Sequence, residues 1–148
     1  AVGNESRDYA TLVDAMRGLT MPCEIIAGAE GRRSLSAEPL PTDVALGVLS
    51  YPELRALYAR SRFVVVPLQP SDTNHGITVI LEAMAMGKPV ICSHTRGQED
   101  VIQEGRTGIL VPQGDPQALR RTIEYLWRRP AVAADMGGMS SRLKAQVR

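Results

Sequence analysis

Residues 76–91, GITVILEAMAMGKPVI, place one carboxylate, Glu82, inside an otherwise nearly apolar run. Gly76 at the head of a helix would let backbone approach a ligand closely. The unpaired amides from His75 through Ile77 to Thr78 would form an anion site that holds a phosphate without any basic side chain. Glu82 follows Gly76 at a distance of roughly 9 Å along a helix, about the separation between a diphosphate and the ribose hydroxyls of one nucleotide. Left bare among Leu81, Ala83 and Met84, a carboxylate is costly to bury, and two sugar hydroxyls donating to its oxygens would satisfy it. Glu82 could equally occupy the polar edge of an amphipathic helix or cap a neighbouring backbone, and spacing alone leaves both readings open.

Such a site needs a scaffold that joins a strand end to a helix start. Short β-branched runs at 24–28, 62–70, 88–93 and 107–115 read as strands, and 44–50 as another with an early glycine. The run at 62–70 does not alternate and is expected to be buried on both faces. Residues 8–19 place Tyr9, Leu12, Val13 and Met16 at helical spacing. A second helix opens with Ser50 as cap and Pro52 in its first turn, carrying Leu54, Leu57 and Tyr58 on one face. A third starts at Asp115 and Pro116 and carries Leu119, Ile123, Leu126 and Trp127.

This alternation predicts a doubly wound α/β domain, Rossmann-like, with a parallel sheet and helices on both faces. Ligands in such sheets bind beyond the carboxyl ends of the strands, where residues 71–78 fall. Residues 29–43 are expected as a polar loop with two prolines. Residues 1–3 resemble the end of a strand and residues 137–148 a weakly amphipathic helix, so the chain is expected to be cut at both ends.

A length of 148 residues with 44% hydrophobic content suffices for one buried core, so residues 1–148 are expected to form a single domain. The net charge of +1 gives no overall field to attract nucleic acid, which moves the question of function to local sites. Cys23 and Cys92 lie in apolar segments and are expected as free thiols. No apolar run reaches the ~18 residues needed to span a bilayer. The expected location is cytoplasmic, at most at the inner face of a membrane reached through the full-length protein. Arg120, Arg121, Arg128 and Arg129 read as solvated helix residues. His75 and His94 have no partners at metal-ligand spacing, so no metal or other cofactor is expected.

The segments GITVILEAMAMGKPVI and GQEDVIQEGRTGILVPQGDPQAL, together with YPELRALYARSRFVVVPL, resemble the C-terminal half of the retaining, two-domain (GT-B) glycosyltransferases of group 1, family four. The resemblance covers nearly the whole chain and is most specific over residues 74–93. It implies a donor-binding domain for a nucleotide diphosphate sugar. It also implies an N-terminal acceptor domain outside this chain, and a mechanism in which the departing diphosphate takes the acceptor's proton while the nucleophile enters on the same face. Carried across, Glu82 matches the family's second motif glutamate, which holds the ribose.

Two positions depart from the pattern. Asn74 stands where the first motif glutamate is expected; its amide can contact the donor sugar but cannot stabilise positive charge. Asn4 replaces an expected arginine, which leaves Arg7 as the cation for the diphosphate; surface pairing of Arg7 with Glu5 or Asp8 is the other reading. His75 could donate to a phosphate oxygen or be a solvated loop residue. Glu99 matches an acidic family position and could equally stabilise its own helix dipole. Backbone near Val48 and Leu49 would read the base. The donor half of a nucleotide-sugar epimerase and a non-catalytic nucleotide-binding or interaction module are the alternatives. A dinucleotide oxidoreductase is disfavoured, because AVGNES lacks the glycine-rich phosphate turn.

Overall fold

A computed structural model describes residues 1–35 and 37–146. Its five strands, β1 (Cys23–Ile26), β2 (Val44–Gly47), β3 (Val64–Val66), β4 (Val90–Ser93) and β5 (Gly108–Val111), are parallel throughout. They are shorter than the apolar runs that announce them. Pro67 follows β3 and Pro112 follows β5, and a proline has no N–H to extend a ladder.

The strands form two hydrogen-bonded sets, β1-β2 and β3-β4-β5, rather than one continuous ladder. Residues 1–8 link them. Val2 bridges in parallel to Ile26, as the strand-like reading of residues 1–3 anticipates, and Arg7 bridges antiparallel to Leu68. The Asp8 N–H donates to the Pro67 carbonyl at 3.0 Å.

Side chains on β3 and β4 alternate between two cores, which is why β3 is apolar at every position and β4 at all but its last, Ser93. Val64, Val66, Val90 and Cys92 pack with Tyr58 of α3 (Tyr51–Arg60) and with Ile80, Ala83 and Met84 of α4 (Ile77–Ala85). Val65 and Ile91 face the other way. They pack with Leu12 and Met16 of α1 (Tyr9–Met16) and with Leu119, Ile123 and Leu126 of α5 (Pro116–Trp127). Helices therefore cover both faces, as the doubly wound reading requires. Cys23 and Cys92 are free thiols; burial pushes the Cys92 thiol up to about 12.

The expected caps form. The Asp115 carboxylate accepts from the Ala118 N–H at 2.9 Å, and Pro116 occupies the first turn of α5. At α3, the Ser50 N–H and hydroxyl both donate to Glu53 Oε2 at 2.7 Å.

The expected loop at 29–43 is corrected in its first half. Residues Ala29–Leu35 form a helix, α2, while Ser36 lies outside the described residues. This helix has only seven residues, too few to be stable alone in water; tertiary packing sustains it. Gly31 is buried close to Ala27 and the Tyr9 ring, and Leu35 enters the core.

The last helix, α6 (Pro130–Gln146), lies across the end of α4. Ser140 donates its hydroxyl to the Thr107 carbonyl at 3.0 Å. Gly137 is held so close to Gly87 that a Cβ there would fall 1.9 Å from the Gly87 carbonyl oxygen.

Candidate functional site

The carboxyl ends of β3 and of the segment around Val2 converge on a cleft of about 390 Å³. One wall is Asn4, Glu5 and Arg7; the other is Asn74, His75, Gly76, Ile77 and Thr78. Two stretches separated by more than sixty residues of chain thus meet where the sequence placed an anion site. A second cavity of about 270 Å³, bordered by Cys23, Leu57, Phe63 and Trp127, opens at the amino ends of β1 and β3, away from these residues.

The first wall is tied down by its own backbone. Ser6 adopts a positive φ of 52°, and its carbonyl accepts from the Gln69 N–H at 2.8 Å. Tyr9 donates its hydroxyl to the Gly3 carbonyl at 2.6 Å, and burial pushes its phenol up to about 12. Arg7 Nε donates to the Val2 carbonyl at 3.1 Å and Nη1 to the Glu5 carbonyl at 2.8 Å. The surface pairing of Arg7 with Glu5 or Asp8 does not form. The Asp8 carboxylate caps α1, accepting from Thr11 N at 3.1 Å and Thr11 Oγ1 at 2.6 Å. Among the described residues Arg7 makes no ion pair. Desolvation lowers its pKa, yet a guanidinium so held remains a cation at neutral pH. The Asn4 amide oxygen accepts from the Gly28 N–H.

The second wall is a helix start without a side-chain cap. Gly76 adopts φ +79°, and a Cβ there would lie 2.8 Å from Val66 Cγ1, so both conformation and space demand glycine. The first backbone bond into α4 runs from the Ile80 N–H to the Gly76 carbonyl at 3.0 Å. The amides of Ile77, Thr78 and Val79 precede it and have no intrahelical acceptor. His75 Nε2 meets Thr73 Oγ1 at 2.7 Å, leaving Nδ1 as its other polar ring atom. Asn74 lies against Gly97, where a Cβ would fall 2.3 Å from its amide oxygen.

Three groups of expected site residues lie outside the cleft lining. Glu82 sits four residues beyond Thr78 and therefore on the same helix face, one turn further on. It is half-buried, and its Oε2 accepts from the Tyr58 hydroxyl at 2.9 Å. Burial and this bond together raise the Tyr58 pKa well above the usual phenol range. Tyr58 was legible only as a core residue; its role as partner to Glu82 had no sequence signal. Replacing Tyr58 by Phe should lower stability by about 1 kcal/mol through loss of one hydrogen bond, checked by denaturant unfolding; an unchanged midpoint would show that the bond contributes nothing.

Val48 and Leu49 follow β2, with Val48 64% exposed and Tyr51 beside it 74% exposed. Glu99 pairs with His94, Oε2 to Nε2, at 2.5 Å on the surface. No group of three His, Cys, Asp or Glu side chains suited to a metal occurs among the described residues. None of the described helices is long and apolar enough to cross a membrane.

The family profile for glycosyl transferases of group 1 matches residues 8–129. D-rhamnosyltransferase WbpZ of Pseudomonas aeruginosa is 30% identical over 131 residues, spanning 85% of this chain and 34% of its own length. The chain thus spans about a third of that relative's length. Among solved structures, the sucrose-phosphate synthase of Thermosynechococcus elongatus superposes with a TM-score of 0.78 at 27% identity, over 99% of this chain and 40% of that one. Anabaena HepE, solved in complex with UDP, has the same fold with a TM-score of 0.78 at 21% identity, over 98% of this chain and 43% of that one.

Proposed function

Because this chain belongs to the glycosyl transferases of group 1, we propose that it is the donor-binding domain of a retaining glycosyltransferase that uses a nucleotide diphosphate sugar. The observation that carries this reading is the cleft in which Arg7 faces the uncapped start of α4. A leaving diphosphate seated there meets a fixed cation on one side and a set of backbone donors on the other. Both stabilise negative charge as it develops, without reorganising. Glu82 holds the ribose one helical turn away, using Oε1, since Oε2 already accepts from Tyr58. Asn74 contacts the donor sugar as a neutral amide. The base rests beside Val48 and Leu49. The acceptor site belongs to a domain outside this chain, which spans 34% of its rhamnosyltransferase relative. The leaving oxygen takes the acceptor's proton, and the reaction occurs in the cytoplasm or at the inner face of a membrane.

Titration calorimetry of the full-length protein with UDP, GDP and ADP tests the reading, and the UDP complex of Anabaena HepE makes UDP the first choice. One diphosphate should bind selectively, and Glu82→Ala should weaken it by about tenfold or more, equivalent to ~1.4 kcal/mol. Absence of binding by all three at millimolar concentration would rule out a donor site.

A further inference from the structure

Behind the second wall of the cleft lies a polar side chain that touches neither solvent nor the cleft itself. Gln98 sits in the 3-10 turn Gln98–Asp100 that follows β4, and it is 0% exposed. Both polar atoms of its amide have partners. Oε1 accepts from the Thr95 N–H at 3.2 Å and from the Thr95 hydroxyl, while Nε2 donates to the His75 carbonyl at 3.1 Å. These partners fix which end of the amide is which, because a backbone N–H only donates and a carbonyl only accepts. Sealing an amide in the interior is costly without such partners.

We propose that Gln98 is a positioning residue of the donor site, acting through the His75 carbonyl to aim the amides at the start of α4. Across a trans peptide the N–H points opposite to the C=O. With the His75 carbonyl drawn inward to Gln98, the Gly76 N–H is turned outward, on the side of the cleft that Gly76 lines. No acceptor for that N–H occurs among the described residues. Gly76 is the pivot between this peptide and the helix, and glycine left unrestrained explores a wide range of φ and ψ. The turn is clamped from two directions: Gln98 holds the carbonyl before the pivot, and Val66 and Leu68 crowd the pivot itself. Removing the first clamp frees the peptide plane while leaving the helix intact. Donors misdirected by even a small rotation lose much of their grip on an anion.

This inference rests on the donor-site reading, and its test separates the two. The affinities of the preferred nucleoside diphosphate and of the matching nucleoside are measured for the full-length protein, the first by calorimetry and the second by ligand-observed NMR. They are compared with those of Gln98→Met, which keeps the bulk and removes the amide. The diphosphate should bind about tenfold more weakly while the nucleoside changes by less than about twofold, because only the phosphates use the aimed amides. Equal weakening of both ligands, or of neither, would overturn the positioning role. Should Gln98→Met fail to fold, Thr95→Val provides the second variant. It loosens the Oε1 end without touching the His75 bond and should weaken the diphosphate selectively by about threefold; a nonselective effect overturns the proposal. If the wild-type protein binds no nucleoside diphosphate, the donor-site reading fails and this inference with it. Tight diphosphate binding that Gln98→Met leaves unchanged removes the inference alone.

Discussion

Substituting Gly137 by alanine lowers the stability of the fold by up to about 2 kcal/mol, the balance of two opposing effects. Alanine gains about 1 kcal/mol over glycine in a helix interior. Against this, its Cβ would lie 1.9 Å from the Gly87 carbonyl oxygen and 2.9 Å from the carbonyl carbon, both backbone atoms. A side chain could rotate away; a backbone carbonyl cannot, so α6 must lift from the end of α4. Overpacking of this kind typically costs about 1–3 kcal/mol and sometimes more. Lifting α6 also endangers the bond from Ser140 to the Thr107 carbonyl and the burial of Met136. Thermal unfolding should show a fall of about 3 °C for each kcal/mol lost in a chain of this size. Gly138 is the matched control. A Cβ there meets only Arg142 Nη1 at 3.8 Å, so Gly138→Ala should be neutral or raise stability by up to about 1 kcal/mol. A Gly137→Ala protein that melts at or above the wild-type temperature would show that the close approach is relieved cheaply.

The second large effect concerns ligand affinity. Arg7→Ala should weaken nucleoside diphosphate binding about a hundredfold, in line with losing charge-assisted hydrogen bonds of about 1.5–3 kcal/mol each. Arg7 is already anchored through the Val2 and Glu5 carbonyls, so little side-chain freedom remains to be lost when a phosphate arrives. Arg7→Lys retains the charge but not the fork that reaches both carbonyls, and should recover about half of the lost free energy. Added salt should weaken the wild-type interaction more than that of Arg7→Ala. Equal diphosphate affinity in wild type and Arg7→Ala would remove Arg7 from the site and leave the helix amides alone to hold the anion.

Much of this architecture was legible because single residues announce it. Ser50 with Pro52 and Asp115 with Pro116 mark helix starts by chemistry that needs no tertiary context. The valine-rich run of β3, which does not alternate, read as a strand covered on both faces. Helix α2 was not legible, since its seven residues include Gly31 and Ser34 and it depends on contact with Tyr9, far away in sequence. The division of the strands into two sets also depends on how residues 1–8 pass between them, which no local pattern encodes.

The candidate site divides in the same way. Residues 75–78 could be named in advance because a glycine-led helix start is chemically conspicuous, whereas Arg7 and Asn74 were named only through the family resemblance. The anchoring of Asn4 on Gly28, the pairing of Glu99 with His94 and the contact between Tyr58 and Glu82 join residues from separate elements. Gln98 is the extreme case. A lone amide beside two acids reads as surface, yet the fold closes over it completely.

Cys92, at the centre of β4, turns the interior of the sheet into a chemical clock. Its thiol is 0% exposed and is pushed up to about 12 by burial, so in the closed molecule it offers a reagent neither access nor thiolate. Alkylation at this sulfur proceeds only through molecules whose sheet has parted, and its rate at low reagent reports the fraction of molecules so opened. Cys23, only partly covered at the start of β1, keeps a different time. Cys92 thus reports on the opening of its own set of strands, with the more accessible Cys23 as a reference thiol within the same polypeptide.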